Sequence, residues 1–492
     1  MITTERLATI VGSQNVIVDE AALCKYSSDI SFVRAVKPRC VVLPNTPSEI
    51  ASIVAFAKDT HTPLVPLSSG PPHFLGDTVP SVEGAVIVDL SGMKKIVRVD
   101  RSNRVAIFEP GVTFDELIGE VSKAGLRLNT PLMPRRSKSV VGSMLERQPV
   151  IMPKYQWDMA DPLACVEVVF GTGDIFRTGS AAGPGSLEEQ WKAGGSQKEA
   201  AGPSAASWYR VIQAAQGTMG IVTWATARCE IIPRAETPCF VGNQELQPIL
   251  EFVHWLTRLR LVNECFVLNR TNLATLAARE GRNECEELTN SLPAWILFFN
   301  IAGYEYYPEE RVRSQRKDIV QVAERLGLRL DEALGALTAS SVLQLARHSS
   351  DEPYWKLRPK GASHDIFFLA LYKTLPELID LFVRTAVSEK YSATDIGVYL
   401  QPIVQGCNCH CEFNLFYDPA DRNETARVQR LSQRAAMLLA EKGAFFSRPY
   451  GEIAELIMNR DPANTAALMR VKNIVDPANI LNPGKLCFSA QR

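Results

Sequence analysis

The sequence lacks several features that would assign it to a specialised class of proteins. No apolar run approaches the roughly 20 residues that a membrane-spanning helix requires. The N-terminus has no basic segment followed by a long apolar one, which is the pattern of a secretory signal. The formal net charge is −1, so no excess of positive charge favours nucleic acid or an anionic membrane as a partner. We therefore expect a cytoplasmic protein with no membrane span.

Cysteines are few and show no disulfide framework. The 11 cysteines are an odd number spread over 492 residues, which favours reduced thiols. Cys407, Cys409 and Cys411 alternate along a strand-like segment, where side chains on one face lie roughly 6.6 Å apart. Sulfurs that share one tetrahedral zinc ion must lie about 4 Å apart. The spacing therefore argues against a metal site, and we expect none.

The composition that remains is typical of a soluble globular protein, with 46% hydrophobic and 22% charged residues. The length predicts two or three domains. Up to about residue 232, short β-like runs alternate with helical segments, two of which begin after the candidate N-caps Thr46 and Thr113. Residues 180–207, rich in Gly, Ala, Ser and Glu, are typical of a long surface loop. Longer helical patterns fill residues 235–400, so the sequence predicts successive α+β domains.

Five sequence blocks occur in an order that identifies a family. They are PRCVVLPNTPSEIASIVAFAKDTHTPLVPLSSG, GAVIVDLSGMKKIVRVDRSNRVAIFEPGVTFDELI, SVVGSMLERQ, DPLACVEVVFGTGDIFRTG and AAQGTMGIVTWATARCEIIPR. In this order they resemble the FAD-binding domain of the vanillyl-alcohol oxidase and p-cresol methylhydroxylase family. The C-terminal GVYLQPIVQGCNCHCEFNLFYDPAD and VDPANILNPGKL are also similar to that family, specifically to its vanillyl-alcohol oxidase branch.

The resemblance implies the fold and the domain boundaries. It covers residues 1–232 and 395–487, whereas the middle of the chain is only loosely similar. It implies an α+β protein with a two-subdomain FAD-binding domain of the PCMH type over residues 1–232. An α+β cap, or substrate, domain with an antiparallel sheet would occupy residues 233–450. The C-terminal segment, residues 451–492, would return to the FAD-binding domain.

The resemblance also implies how FAD is held. Two turns, PLSSGPPHFLGD (residues 66–77) and SVVGSMLE (residues 139–146), would present backbone N–H groups to the pyrophosphate. Pro71 and Pro72 remove two of those donors. A third turn, QGTMGIVT (residues 216–223), would pass near the flavin and the adenine. The implied cofactor-binding residues are Ser68, Ser69, Gly70, Gly142, Ser143, Glu146, Gly217, Gly220, Ile221, His410 and Lys485.

His410 falls where vanillyl-alcohol oxidase carries the histidine that is bonded to the flavin. The resemblance therefore implies a flavin-facing role for His410 and leaves a covalent bond to FAD open. On a strand, His410 and Glu412 would share one face and the neighbouring cysteines the other. An ordinary hydrogen-bonded histidine is the alternative. The related 2-hydroxyacid dehydrogenases carry a metal-binding H-x-G-D-G-N-L-H segment here, but Ile403 replaces its first histidine.

The residues that hold the substrate in this family are only partly present. Arg448 occupies the position of the arginine that binds the substrate phenolate, but the two tyrosine positions read Leu75 and Ser447. The position of the catalytic aspartate falls on Pro134, which can neither accept a proton nor donate a hydrogen bond. Tyr450 is a candidate for the same space as Arg448.

A basic segment directly follows Pro134. Arg135, Arg136 and Lys138 are candidates for binding an anionic group. The alternative is a basic loop in contact with solvent.

Three functions remain open. The first is an FAD-linked oxidase or dehydrogenase that takes hydride from a benzylic or alcoholic carbon of a small aromatic substrate to flavin N5, in aromatic compound catabolism. Its candidate catalytic residues are Arg448, Tyr450 and His410. The second is oxidation of a 2-hydroxy acid such as lactate or glycolate, held by Arg448 or by residues 134–138. The third is a catalytically impaired FAD-binding subunit beside an active paralogue. We expect a homo-oligomer, with an electron-acceptor protein or a paralogous subunit as its partner.

Overall fold

A computed structural model describes residues 2–155, 161–202, 207–279 and 281–489, and the chain begins with a mainly parallel four-stranded sheet. The strands, in the order β1-β2-β4-β3, are β1 (Val16–Ile17), β2 (Cys40–Val42), β3 (Leu64–Leu67) and β4 (Val86–Asp89). The helices that flank this sheet are α1 (Ile2–Val11), α2 (Glu20–Cys24) and α3 (Pro47–Thr60). Leu7 and Ile53 pack on one face of the sheet and Leu23 on the other. Both faces are therefore covered, which explains why β2 and β4 are apolar throughout most of their length.

The second sheet is antiparallel, with strand order β5-β6-β10-β8-β9 and with β7 also paired to β10. Its strands are β5 (Ile96–Asp100), β6 (Val105–Phe108), β7 (Leu126–Leu128), β8 (Leu163–Val169), β9 (Ile175–Arg177) and β10 (Ile221–Ile231). The helices of this region are α4 (Phe114–Lys123), α5 (Val140–Leu145), α6 (Leu187–Lys192) and α7 (Tyr209–Ile212). The loop predicted for residues 180–207 contains α6, and its residues 203–206 lie outside the described part of the chain.

The predicted N-caps of α3 and α4 are confirmed. Thr113 and Glu116 form a capping box at the start of α4. Thr46 caps α3 by accepting a hydrogen bond from the Glu49 N–H, but the Glu49 carboxylate accepts from Asn45 instead of from the cap residue. Both helices therefore begin where the Thr-x-x-Glu pattern predicts.

The cap domain is built on a six-stranded antiparallel sheet with strand order β11-β13-β12-β17-β18-β16. Its strands, together with the separate hairpin β14-β15, are β11 (Ala235–Asn243), β12 (Cys265–Asn269), β13 (Trp295–Gly303), β14 (Ala333–Leu334), β15 (Leu337–Thr338), β16 (Ala362–Ala370), β17 (Ile396–Ile403) and β18 (Asn408–Tyr417). The helices are α8 (Leu246–Arg258), α9 (Arg270–Ala277), α10 (Arg282–Ser291), α11 (Pro308–Arg325), α12 (Ala339–Arg347), α13 (Leu375–Ser388) and α14 (Arg422–Glu441). The expected α+β fold with an antiparallel cap sheet is confirmed.

The two faces of the cap sheet differ in chemistry. Cys409 and Cys411 of β18 are buried in an apolar core together with residues of α8, α13 and α14. His410 and Glu412 alternate with them and lie on the opposite face, called the polar face below, where they contact each other. This is the alternation that the sequence predicts for an extended strand.

Two further helices carry the chain back to the first domain. Helix α15 (Gly451–Met458) packs mainly against the cap core, and helix α16 (Pro462–Val475) follows it. Val475, Ile480 and Phe488 then join the cores of the first domain. The division at residues 232 and 450 stays a prediction, because α15 contacts both regions.

The described residues contain neither a membrane-spanning helix nor a cluster of metal-binding side chains. None of the helices in this part of the chain combines the length and the apolar character needed to cross a membrane. Within the same residues, no three or more His, Cys, Asp and Glu side chains are grouped so that they could hold a metal ion.

Candidate active site

A large cavity lies between the loops of the first domain and the polar face of the cap sheet. Its empty volume is about 1630 Å³, counted together with its open mouth. Residues of both the first domain and the cap domain line the cavity, so a bound molecule would contact both. Its first-domain wall is formed by all three turns that the sequence implicates in FAD binding.

Glycines allow these turns to approach one another closely. A Cβ atom on Gly142 would lie 3.1–3.3 Å from the hydroxyl oxygens of Ser68, Ser69 and Ser139. Gly217 has φ +70, and a Cβ atom there would lie 2.5 Å from Pro66 Cγ. The distance at Gly217 is too short for a side chain and those at Gly142 are tighter than most Cβ contacts, so the cavity wall here is a surface of backbone and small hydroxyl groups. Such a surface suits a phosphate-containing ligand, because backbone N–H groups can reach it unobstructed.

The C-terminal NPGK segment holds two of these turns in place. The Asn482 amide group donates to the carbonyl oxygens of Asp77 and Gln216, at 2.8 Å each. The Lys485 ammonium group donates to the Gly76 carbonyl oxygen at 2.7 Å. One terminal segment therefore ties the turn at residues 66–77 to the turn at residues 216–223.

The structure brings most of the sequence-predicted site residues to the cavity. Those that line it are Ser68, Ser69, Gly142, Glu146, Gly217, Gly220, Ile221, Arg448 and Tyr450. Gly70 does not line the cavity, and its N–H donates to the Ser137 carbonyl oxygen. Lys485 does not line it either, and holds the turn at residues 66–77 through the Gly76 carbonyl oxygen. Ser143 donates its hydroxyl to Gln148 and lines a separate small cavity.

His410 lies beneath the cavity wall and not on it. Only 1% of its surface is exposed, and the rings of Phe367 and Tyr399 lie 6.0 and 5.8 Å away, centroid to centroid. Its Nε2 atom is 3.2 Å from Glu412 Oε2. Burial lowers the pKa of His410 to about 4, although the hydrogen bond with Glu412 opposes this shift. The imidazole is therefore neutral at neutral pH.

Two carboxylates and one lysine form a charged cluster on the cap wall of the cavity. Lys356 Nζ lies 2.5 Å from Asp365 Oδ2 and 2.5 Å from Glu412 Oε1. Asn414 donates its amide to Asp365 Oδ1 at 2.7 Å and to Glu412 Oε1 at 2.8 Å. Lys356, Asp365 and Glu412 all line the cavity and are called the Lys356 cluster below.

Sequence reasoning missed Lys356 and Asp365. Lys356 precedes β16, and Asp365 reaches Glu412 only because β16 pairs with β18, which sets Phe367 opposite Glu412 and Asp365 opposite Asn414. The one feature of the sequence that points to the Lys356 cluster is the alternation along β18, which puts Glu412 on the same face as His410. A pairing between distant strands has no local signature.

Arg448 is a buried cation whose charge is unmatched. It is 4% exposed, its Nη1 atom donates to the Glu146 carbonyl oxygen at 3.0 Å, and its Nε atom has no hydrogen-bond partner in the structure. The guanidinium group lies 4.3 Å from the Phe367 ring centroid, and no carboxylate of the described residues forms an ion pair with it. Burial lowers the pKa of Arg448 from a very high value, so it remains charged. The cavity therefore contains a cation with no direct ion pair, although Glu412 and Glu146 act on its charge from farther away.

The basic segment after Pro134 has mixed environments. Arg135 is buried and donates to the Gly70 carbonyl oxygen at 2.8 Å. Lys138 is buried and paired with Glu146, whereas Arg136 is 63% exposed and pairs with Asp115. All three cations thus interact with protein groups. Only Arg136 agrees with the alternative interpretation, a basic loop in contact with solvent.

Comparisons with known proteins agree with this geometry. Residues 38–179 match the family model described as "FAD binding domain", and residues 404–486 match "FAD linked oxidases, C-terminal domain". The glycolate oxidase subunit GlcD of Bacillus subtilis is 27% identical, over 98% of this chain and 96% of that protein. The 4-cresol dehydrogenase flavoprotein subunit of Pseudomonas putida is 28% identical, over 37% of this chain and 35% of that protein.

A solved structure shares the fold across almost the whole chain. The structure of p-cresol methylhydroxylase with substrate bound superposes with a TM-score of 0.84 at 20% sequence identity, covering 99% of this chain and 96% of that one. The PCMH-type fold is therefore shown, and the glycine-lined wall of the cavity fits FAD.

Proposed function

We propose that this chain, which belongs to the FAD-linked oxidoreductases with a PCMH-type FAD-binding fold, oxidises a benzylic or alcoholic carbon of a small aromatic substrate. The substrate's anionic end, a phenolate, pairs with Arg448. The single observation that carries this proposal is that the buried guanidinium group of Arg448 has no direct ion pair among the described residues and leaves its Nε atom without a hydrogen-bond partner. A buried cation without a partner is costly, and an anionic ligand removes that cost.

The walls around Arg448 support an aromatic substrate. Phe74, Tyr354, Phe367, Tyr399 and Tyr450 all line the same cavity. Aromatic rings pack favourably against other aromatic rings. Tyr450 is partly buried in the cavity wall near Phe367, at 6.2 Å between ring centroids, and loss of solvent raises the pKa of its hydroxyl. Tyr450 therefore stays protonated and supplies a neutral hydroxyl donor, which takes the role of a tyrosine missing at positions 75 and 447.

The chain's own residues bind, orient and desolvate the substrate. The turns that contain Ser68, Gly142 and Gly217 hold FAD, which supplies the hydride acceptor when bound. Arg448 fixes one end of the substrate, so that the carbon to be oxidised has one orientation. The aromatic walls exclude water, which strengthens the pairing between Arg448 and the anion.

The test of this proposal is the reduction of bound FAD by a panel of alcohols under anaerobic conditions. Purified protein is mixed with 4-hydroxybenzyl alcohol, benzyl alcohol, glycolate or D-lactate, and the absorbance of the flavin is followed. We expect the phenolic alcohol to bleach the flavin fastest. Failure of both aryl alcohols would contradict the proposal, and bleaching by dithionite alone would indicate a catalytically impaired FAD-binding subunit.

A 2-hydroxy acid is the second candidate substrate. The similarity to the glycolate oxidase subunit extends over 98% of this chain, whereas the similarity to the cresol enzyme subunit extends over 37%. The planar guanidinium fork of Arg448 suits a carboxylate as well as a phenolate. Bleaching by glycolate or D-lactate, with none by the aryl alcohols, would favour this candidate.

A further inference from the structure

We propose that Asp365 accepts the proton that the substrate hydroxyl loses during oxidation, with Lys356 and Glu412 holding its carboxylate in position. This inference rests on the proposed function, because it assigns a residue to the same reaction. It holds for either candidate substrate, since both an aryl alcohol and a 2-hydroxy acid carry a hydroxyl group on the carbon that is oxidised.

The first step of the argument is the balance of charge in the Lys356 cluster. Asp365 and Glu412 share one ammonium group, at 2.5 Å from each carboxylate. Three ionised groups leave one negative charge in excess on a buried wall. Like charges that share a buried site favour binding of a proton by one of them. The cluster can therefore take up one proton on Asp365 and still keep the ion pair between Lys356 and Glu412.

The second step identifies which carboxylate takes the proton. Both carboxylates have both oxygens engaged, Glu412 with Lys356, Asn414 and His410 and Asp365 with Lys356, Asn414 and Ser363, so exposure distinguishes them. The Glu412 side chain is 11% exposed, whereas that of Asp365 is 21% exposed. Burial and the nearby charge of Glu412 raise the pKa of Asp365, while Lys356 opposes the shift. Asp365 is thus the more accessible carboxylate and the better proton acceptor.

The third step is the position of Asp365 relative to the substrate. A second cavity of about 750 Å³ adjoins the main one, and Asp365, Phe367, Arg448 and Tyr450 line both. The unmatched guanidinium group of Arg448, more than nine-tenths buried, is an independent sign that a ligand lies at this junction. A substrate anchored there contacts the wall that carries Asp365.

The second cavity also provides a route for the proton to leave. Ser363 donates its hydroxyl to Asp365 Oδ1 at 3.0 Å. Ser363, Ser432 and Gln433 line the second cavity on the side away from the FAD turns. Polar side chains and the water they bind can carry a proton from Asp365 to the surface.

The step balances in atoms and electrons. The substrate C–H bond breaks and its electron pair leaves with the hydrogen as hydride, which FAD accepts. The O–H bond breaks, its electron pair forms the second carbon–oxygen bond, and the proton goes to the Asp365 carboxylate. The substrate is oxidised by two electrons and FAD is reduced by two. Asp365 therefore supplies the acceptor that Pro134 cannot.

Other charged and titratable groups surround the cluster and contribute to any pH profile. Tyr354, Arg448 and His410 approach it from the loop before β16, from the segment before α15 and from β18. Asp77 lines the opposite wall, and burial together with Glu146 raises the pKa of Asp77 to about 6. A pH profile of the wild type alone cannot separate Asp77 from Asp365, so a variant is needed.

The test compares Asp365→Asn with a matched control in the same domain. Lys360 lies between Asp395 and Glu424, at 3.1 and 2.7 Å, outside the cavity. Asp395→Asn therefore removes a carboxylate from a similar cluster without touching the site. Each holoenzyme is reduced anaerobically at several pH values by whichever alcohol of the panel bleaches the wild type.

We expect Asp365→Asn to bind FAD normally but to be reduced about 10²–10⁴-fold more slowly, and to lack the part of the fall in rate at low pH that protonation of Asp365 should cause in the wild type. Asp395→Asn should be reduced at the wild-type rate at each pH. Asp365→Glu keeps a carboxylate as proton acceptor and should retain at least about a tenth of the wild-type rate of flavin reduction. If Asp365→Asn loses FAD, the pH profile of Asp365→Glu is compared with that of the wild type instead. Reduction of Asp365→Asn at the wild-type rate would overturn this inference alone. A wild type that no alcohol reduces would overturn the proposed function, and this inference with it.

Discussion

Two of the buried cations that line the cavity, Lys356 and Arg448, differ in the charged groups around them. Lys356 has two carboxylates within 2.5 Å, whereas Arg448 has only a backbone carbonyl and an aromatic ring. A buried ion is tolerated when it is paired and hydrogen-bonded. In our proposals the Lys356 cluster, with two carboxylates for one ammonium group, takes up a proton, and Arg448, with no direct ion pair, binds an anion.

The first prediction concerns His410, for which the family resemblance leaves a covalent bond to FAD open. The ring is 1% exposed and its Nε2 atom is engaged by Glu412, and His410 does not line the main cavity. We therefore expect acid precipitation of the wild-type protein to release all FAD into the supernatant. Flavin that stays on the wild-type chain but leaves His410→Ala would contradict this expectation.

At the scale of single elements, the sequence predicts best what local chemistry determines. The N-caps at Thr46 and Thr113 and the alternating faces of β18 follow from capping and from the two-residue period of a strand. The cap sheet also brings together residues that are far apart in sequence, such as Lys356 and Glu412. Their proximity follows from the pairing of β16 with β18, which neither segment encodes on its own.

The second prediction concerns the turn at residues 216–223. Gly217 has φ +70 and faces Pro66 so closely that a Cβ atom would lie 2.5 Å from Pro66 Cγ. We expect Gly217→Ala to displace the turn and to lower the FAD content of the purified protein severalfold. The measurement is the ratio of flavin to protein absorbance.

Gly173 is the matched control for Gly217. It also has a positive φ, +93, but a Cβ atom there would meet nothing within 4 Å. Gly173→Ala therefore carries the same type of backbone strain, of order 1–2 kcal/mol, without closing the cavity wall. Equal loss of FAD in both variants would show that strain, and not the contact with Pro66, explains the effect.

At the scale of the whole molecule, a buried ionic network joins the two domains. Glu264, which is 0% exposed, contacts Arg127 of β7 and Arg347 of α12. Arg347 also pairs with Glu236 of β11 at 2.5 Å. Two carboxylates thus balance two guanidinium groups between β7 and the cap domain. The network fixes the cap sheet relative to the turns of the first domain.

The third prediction follows from removing one charge of this network. Glu264→Gln leaves two buried guanidinium groups with one carboxylate, which should lower the free energy of unfolding by about 3–5 kcal/mol. Glu286, which pairs with Arg282 on the exposed surface, is the control, and Glu286→Gln should cost no more than about 1 kcal/mol. Urea titration followed by tryptophan fluorescence measures both. A similar cost for the two variants would contradict the stabilising role of the network.

The same residue gives a pH dependence with a defined sign. Burial raises the pKa of Glu264, but Arg127 and Arg347 outweigh this and lower the pKa from 4.5 to about 2. Between those values the unfolded chain binds the proton and the folded chain does not, so stability falls as the pH falls. The contribution of Glu264 is complete above pH 4.5 and is lost towards pH 2. Glu264→Gln should remove this part of the acid sensitivity, and an unchanged slope would contradict it.

The measurement that tests the central claim most directly is a comparison of two substrates in two proteins. Anaerobic reduction of bound FAD is timed for the wild type and for Arg448→Met, with 4-hydroxybenzyl alcohol, which can ionise at its phenol, and with benzyl alcohol, which lacks that group. If Arg448 pairs with the phenolate, Arg448→Met should lower kcat/KM for the phenolic alcohol by a factor equivalent to about 2–5 kcal/mol. The value of kcat/KM for benzyl alcohol should stay nearly unchanged. Equal losses for both alcohols, or no loss for either, would contradict the account.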